Sequence, residues 1–72
     1  MGVSKDWEKS VTLYTRAAEN GDARSQYSLG VMYKMGYGVE RDMEFAIAWF
    51  KVSADKRYKS ALQELMKLGI SS

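Results

Sequence analysis

The stretch AAENGDARSQYSLGVMYKMGYGVERD, residues 17–42, decides the fold. Glycines interrupt it at Gly21 and Gly36, and aspartates that could begin a helix stand at Asp22 and Asp42. Aspartate is a favoured N-cap of a helix, and glycine readily adopts the left-handed backbone that ends one. The stretch therefore predicts a helix over residues 22–35, with one helix ending before Gly21 and another beginning at Asp42.

Apolar residues recur at helical spacing on both sides of this stretch. They predict a first helix over about 6–20 with Asp6 as its N-cap, and a third helix that ends at about Asp55. A tight connection at Lys56-Arg57 then leads to a fourth helix over about 58–68, before Gly69. No segment alternates as a strand would, and short links imply antiparallel neighbours. We therefore expect an all-α fold of four antiparallel helices forming two helical hairpins.

A glycine inside the predicted second helix needs an explanation. Gly30 costs roughly 1 kcal/mol relative to alanine at such a position. A close approach between helices would account for it, and the neighbouring helices offer three small residues for this contact: Ala18, Ala46 and Ala54.

The chain also resembles itself at an offset of 36 residues. Tyr14 then aligns with Phe50, and Val11 aligns with Ile47. Six pairs are identical: Gly2/Gly38, Val3/Val39, Asp6/Asp42, Glu8/Glu44, Ala18/Ala54 and Leu29/Leu65. A period of this length is typical of a repeated helical hairpin.

Composition excludes several kinds of site. The 72 residues include no cysteine and no histidine, which excludes disulfides, thiolate zinc sites and a Ser-His-Asp triad. Eleven basic and nine acidic residues give a net charge of +2, spread along the chain. No apolar run has the length of a signal peptide core or a membrane span. We expect a soluble cytoplasmic protein without a metal or cofactor.

The arrangement of these residues resembles the Sel1-like repeat, a relative of the tetratricopeptide repeat. The matching positions are 17–23, 26–33, 36–39, 42, 46, 49, 50 and 54. The resemblance implies paired helices that stack into a right-handed superhelix, a role in binding other proteins, and no shared catalytic residues. We expect residues 1–72 to form one domain, with a full repeat at about 22–56 between two half repeats. Met66 stands where the pattern has glycine, so the fourth helix resembles a terminal cap.

The second helix carries the first candidate site. In related superhelices the first helix of each hairpin lines a concave groove, so the resemblance implies partner binding by the outer face of this helix. The candidates are Arg24, Tyr27, Ser28, Val31, Lys34 and Met35. The alternative is that Tyr27 and Val31 pack on flanking helices.

The third helix carries a second apolar band, formed by Phe45, Trp49 and Val52. Phe45 and Val52 occupy positions where the repeat usually has polar residues. A partner surface or a homodimer interface would explain the band. The alternative is that a central helix with neighbours on two sides is buried more broadly.

These observations favour a non-enzymatic protein-binding module, such as an adaptor, a scaffold or a small regulator. The alternative function is nucleic-acid binding through the basic turn Lys56-Arg57-Tyr58-Lys59, with the tyrosine stacked on a base. Two weaker motifs have ordinary structural explanations. Gly36-x-Gly38 is interpreted as a turn and not as a phosphate loop, and the acids Glu40, Asp42 and Glu44 as a helix start and not as a metal site.

Overall fold

A computed structural model describes residues 3–70 of the chain, which form four α-helices joined by short connections. Helix α1 spans Val3–Glu19, α2 spans Ala23–Met35, α3 spans Met43–Asp55 and α4 spans Lys59–Lys67. Each helix packs against the next one along the chain, and α2 and α3 share the most extensive contact. No strand occurs over this range, so the predicted all-α fold is confirmed.

The first helix begins earlier than the sequence predicts. Helix α1 starts at Val3, so Asp6 lies in its first turn, and its assignment as the N-cap is wrong. Neither glycine nor proline interrupts residues 3–5, so the helix continues through them, while Asp6 still lies near the positive end of the helix dipole. Gly2, the repeat partner of Gly38, lies outside the described residues.

The predicted ends of α2 and the start of α3 are confirmed. The Asp42 carboxylate accepts a hydrogen bond from the backbone N–H of Phe45 at 3.1 Å and thereby caps α3. Asp22 is the N-cap residue of α2, but its carboxylate accepts from the Ser25 hydroxyl at 2.6 Å and not from a backbone N–H. Gly36 ends α2 with a left-handed backbone, at φ +75°.

A tight turn connects α3 to α4, as predicted. Arg57 adopts φ +64°, in the left-handed region that residues other than glycine seldom occupy. Helix α4 agrees with the prediction to within one residue at each end, since Tyr58 and Leu68 take its cap positions. The Lys56 ammonium donates a hydrogen bond to the Gly21 carbonyl oxygen. This bond ties the α3–α4 turn to the α1–α2 turn.

The buried apolar core is rich in small residues. It consists of Ala18, Leu29, Met32, Ala46, Phe50, Ala54, Ala61 and Leu65. Two hydrogen bonds link neighbouring helices beside it: the Gln26 amide donates to the Ala18 carbonyl at 3.0 Å, and the Ser53 hydroxyl donates to the Ala23 carbonyl at 2.8 Å. Alanines allow the helix axes to come close, and Phe50 fills the space that remains at the centre.

Gly30 marks a very close contact between α2 and α3. A Cβ atom at this position would lie 2.6 Å from Cε1 of Phe50 and 3.2 Å from the carbonyl oxygen of Ala46. The predicted close approach is therefore confirmed. Of the three alanines expected opposite Gly30, Ala46 supplies one of the three nearest atoms, and Phe50 supplies the other two. The Phe50 ring lies closest to the glycine.

Gly30→Ala should lower the free energy of unfolding by about 1–2 kcal/mol, because the clash with Phe50 outweighs the roughly 1 kcal/mol gained in helix propensity. Urea denaturation followed by circular dichroism measures the change. The matched control is Met66→Ala, at the equivalent position one repeat later, where the side chain is 77% exposed. It should change stability by less than about 0.5 kcal/mol. A Gly30→Ala variant as stable as the wild type would contradict the packing argument.

Candidate functional site

The six candidates on α2 lie in different environments. Two are exposed, Arg24 and Met35, and four are partly buried, Tyr27, Ser28, Val31 and Lys34. All six belong to one helix, but they do not form a single continuous patch. The exposed pair lies at opposite ends of the helix, and the partly buried residues line hollows beside it.

Tyr27 and Val31 have a packed side and an open side. The ring centroid of Tyr27 lies 5.7 Å from that of Phe50 and 5.6 Å from that of Tyr58. Val31 packs against the same buried cluster. The alternative interpretation, packing on flanking helices, is therefore correct for part of each side chain. The remaining surface of both side chains faces a groove.

This α1–α2 groove has a volume of about 280 Å³. It is lined by Trp7, Tyr14, Tyr27, Ser28, Val31, Met32 and Tyr37. Four of these seven residues are aromatic and none is charged, so the groove suits an apolar or aromatic ligand surface. The hydroxyl groups of its tyrosines and of Ser28 provide the polar contacts. No general acid, general base and nucleophile converge in it.

The connection between α2 and α3 builds one wall of the groove. The rings of Trp7 and Tyr37 stack with their centroids 4.6 Å apart and their planes at 20°. Gly38 makes this possible, because it adopts φ +75° and a Cβ there would lie 2.6 Å from the Trp7 carbonyl. The α1 backbone therefore fills the space beside Gly38. This packing agrees with the interpretation of Gly36-x-Gly38 as a turn.

Trp7, Tyr14 and Tyr37 were not identified from the sequence as groove residues. The first two lie on the apolar arc of the first helix, and an apolar arc looks the same in sequence whether or not another helix covers it. Tyr14 is 37% exposed, whereas Phe50, its repeat partner, is fully buried. The 36-residue offset was the available signal, because it aligns Tyr14 with Phe50. No helix within residues 3–70 covers Tyr14 as α2 covers Phe50.

Lys34 connects α2 to α4 through an ion pair with Glu64. The side chain of Glu64 is 10% exposed and that of Lys34 is 29% exposed, so the pair is largely shielded from water. A smaller hollow of about 240 Å³ lies beside it, lined by Lys34, Met35 and Arg41. Arg41 is the second cation at this end of α2.

The apolar band on α3 is partly covered. Phe45 is 43% exposed and Val52 is 40% exposed, while Trp49 is partly buried. The Phe45 ring makes edge-to-face contacts with Tyr33 and Trp49, at centroid distances of 4.6 and 6.2 Å. The indole N–H of Trp49 is buried and finds no acceptor in the described part of the chain. Broad burial therefore accounts for Trp49, and Phe45 and Val52 remain open to a partner.

The basic turn does not present a stacking platform. Tyr58 is partly buried and packs against Tyr27, so its ring lies within the helix packing. Lys56 bonds to the Gly21 carbonyl, and Arg57 and Lys59 are exposed. The ring serves as a contact between Tyr27 of α2 and the start of α4, which makes it less available for stacking on a base.

Two features of the described residues concern other functions. Between positions 3 and 70, acidic side chains do not gather in threes that could hold a metal ion. The carboxylate of Asp42, one of the three acids noted in the sequence, caps α3. In addition, none of α1 to α4 combines the length and the apolar character that a membrane crossing requires.

Comparison with known proteins identifies a family whose model matches this chain. The family model of the Sel1 repeat matches the chain in two segments, residues 1–22 and 23–58. Their boundary lies at the turn between α1 and α2. No solved structure matches the chain at a significant level.

Three relatives illustrate the similarity. DAP3-binding cell death enhancer 1 of Rattus norvegicus is 35% identical over 63 residues, which is 88% of this chain and 12% of that protein. Chitin synthase regulator SKT5 of Saccharomyces cerevisiae is 34% identical over 61 residues, 85% of this chain and 9% of that protein. A putative sel1-like repeat-containing protein, L18, of Acanthamoeba polyphaga mimivirus is 41% identical over 46 residues, 64% of this chain and 8% of that protein. The chain thus spans about a tenth of the length of these relatives.

Lys34→Met should lower the free energy of unfolding by about 1–2 kcal/mol, because it leaves the nearly buried Glu64 carboxylate without its cation. The double variant Lys34→Met/Glu64→Leu should recover most of this loss, since it also removes the buried charge. Urea denaturation at neutral pH, applied to Lys34→Met, to Glu64→Leu and to the double variant, gives the coupling energy of the pair. A coupling energy below about 0.3 kcal/mol would contradict a stabilising role.

Proposed function

Because the chain belongs to the Sel1 repeat family, we propose that it is a non-enzymatic module that binds a protein or peptide. The observation that carries the proposal is the α1–α2 groove, with its four aromatic residues and uncharged lining. Aromatic side chains in a preformed groove supply large contact areas at a low cost in conformational entropy. The module would act as an adaptor, a scaffold or a small regulator.

The surroundings of the groove also suit a peptide. Arg24 and Met35 are exposed on the same helix that forms one side of the groove. Arg41 is exposed and lines the neighbouring hollow, so acidic residues of a partner would be attracted to this end. Arginine, methionine and aromatic residues are enriched in protein interfaces. Tyr27, Ser28 and Val31 would then form the centre of the contact, together with the aromatic wall of Trp7 and Tyr37. Arg24 and Met35 would add separate contacts at the two ends of α2.

The names of two relatives point in the same direction. The name of the rat relative describes it as DAP3-binding, and the name of the yeast relative describes a regulator of chitin synthase. The first name describes binding, and the second describes the regulation of an enzyme. They support protein binding as the function class of this chain, and the surface described above supports it independently. A cytoplasmic location remains a prediction.

Nucleic-acid binding is the weaker alternative. It requires an aromatic ring that is free to stack, and Tyr58 packs against Tyr27 instead. Of the cations in the basic turn, Lys56 is engaged by the Gly21 carbonyl. A net charge of +2 spread along the chain also gives little attraction to phosphates.

Peptides selected by phage display on the immobilised protein should bind at the groove and its rim. Their affinity should fall by about tenfold or more in Tyr37→Ser and in Met35→Asp, which remove a groove wall and an exposed contact. The control is Leu13→Asp, at a residue that is 65% exposed and does not line the groove. Fluorescence anisotropy with labelled peptides gives the dissociation constants. A selection without binders, or binders that all three variants retain equally, would contradict the proposed function.

The open part of the α3 band leads to a separate prediction, a homodimer formed through Phe45 and Val52. The melting temperature should then rise with protein concentration, because association stabilises the folded chain. Phe45→Ser/Val52→Ser should remove this dependence. Analytical ultracentrifugation and thermal melting over a hundredfold dilution test it. A monomer with a constant melting temperature would exclude the dimer.

A further inference from the structure

The outward face of α3 carries a pattern of side chains that neither the core nor the α1–α2 groove uses. Exposed residues three and four positions apart line this face, so they lie on one side of the helix. They are Glu44, Phe45, Ala48, Lys51, Val52 and Asp55. The exposed part of the apolar band thus lies beside two opposite charges and a small residue.

The pattern is nearly symmetric about Ala48. Phe45 lies three residues before it and Val52 four residues after it, while Glu44 lies four before and Lys51 three after. At 1.5 Å per residue, all four lie about 4.5–6 Å from Ala48 along the helix axis. At roughly 100° per residue, the two apolar residues lie on one flank of the face and the two charged residues on the other, with Ala48 between them.

This symmetry makes the face complementary to itself in antiparallel orientation. A two-fold axis that is perpendicular to α3 and passes beside Ala48 would place each flank against the same flank of a second copy, with the direction reversed. Phe45 would then meet Val52 of the second copy, and Glu44 would meet its Lys51. In a parallel pair, by contrast, each charged residue would meet its own like charge.

The residue at the centre of the symmetry is small. Ala48 is exposed and carries only a methyl group. Small residues at a crossing point allow two helix axes to come close, which brings the side chains on both flanks into reach of each other. The face therefore combines a close contact at its centre with apolar and charged contacts on either side.

The first repeat shows that the stacking of hairpins does not cover this face. The positions of α1 that correspond to the centre and the apolar flank are Lys9, Thr12 and Arg16. All three are exposed, although α2 and α3 follow α1 in the stack. A hairpin that followed α3 in the same arrangement would likewise leave the outward face of α3 open. The face is hydrophilic in α1 and partly apolar in α3, so the stacking itself does not require apolar residues there.

We propose that a second copy of the chain binds the outward face of α3 in antiparallel orientation, with the two-fold axis at Ala48. Opposite charges at Glu44 and Lys51 fix the orientation, and the apolar contact between Phe45 and Val52 supplies attraction. This inference rests on the homodimer predicted as part of the proposed function, because it states the geometry of that contact and adds Glu44, Ala48 and Lys51 to it.

Cross-linking through single cysteines tests the position of the axis. The natural chain has no cysteine, so Ala48→Cys provides one thiol per copy, and a two-fold axis at this residue brings two such thiols together. A short bismaleimide should then join most of the protein into covalent dimers. The matched control is Thr12→Cys, at the exposed position of α1 that corresponds to Ala48. It should give only the small amount of cross-linking that random collisions produce.

Charge reversal tests the orientation. Glu44→Lys and Lys51→Glu should each raise the dissociation constant of the dimer about tenfold, because each change creates two contacts between like charges. The double variant Glu44→Lys/Lys51→Glu should return to within about threefold of the wild type, since it exchanges the charges and keeps them opposite. Analytical ultracentrifugation gives the constants, and circular dichroism verifies that the variants fold. The recovery in the double variant cannot arise from misfolding.

The results separate this inference from the proposed function. Equal cross-linking at the two cysteine positions, or single charge variants that dimerise as tightly as the wild type, would overturn the antiparallel geometry. If Phe45→Ser/Val52→Ser still removed the dimer in that case, the homodimer would stand with another geometry. A chain that is monomeric at every concentration would overturn both the homodimer and this inference. Binding of selected peptides at the α1–α2 groove would be unaffected by any of these outcomes.

Discussion

The distance between α2 and α3 is set at Gly30, because this residue of α2 has no side chain and lies directly against the Phe50 ring of α3. This contact allows the Phe50 ring to fill the centre of a core in which four of the eight buried apolar residues are alanines. Tyr27 then reaches the same ring, and Lys34 reaches Glu64, because the two helices lie so close. A chain of 72 residues buries only about 60% of its unfolded surface, so its stability depends strongly on how closely the buried residues pack. Gly30 lowers the helix propensity of α2, but without it the helices could not pack this closely.

Most of the fold could be predicted from local signals, because the helices begin and end at residues with specific backbone preferences. Gly36 and Asp42 acted as expected, as did the tight turn at Arg57. Asp6 misled the prediction, since an acid in the first turn and an acid at the N-cap give the same sequence pattern. The partner of Gly30 was only partly predictable, because sequence shows that a close approach is needed and does not show which side chain fills the space.

The candidate site was harder to predict, because binding depends on which apolar residues remain uncovered. Tyr14 and Phe50 have the same place in the repeat and the same apolar surroundings in sequence, yet one lines a groove and the other is fully buried. The difference lies in the number of neighbouring helices, which is a property of the whole assembly. The role of Tyr37 was equally hard to predict from sequence. Its place in the groove wall depends on the packing of Gly38 against α1. The groove is identified by two properties together: the position of a residue in the repeat and the number of helices that surround it.

Helices that pack mainly on their neighbours in sequence make an elongated body, 37 × 24 × 16 Å over the described residues. In such a quasi-linear array the opening of one end need not disturb the centre, so local stability is graded along the chain. Between residues 3 and 70, helix α1 is held by α2 and by the loop at Gly38, and no helix in this range covers its other side. Its amide protons would exchange with solvent faster than those at the Gly30 crossing. A ligand in the groove would supply the missing neighbour, and its binding energy would appear as slower exchange in α1 itself.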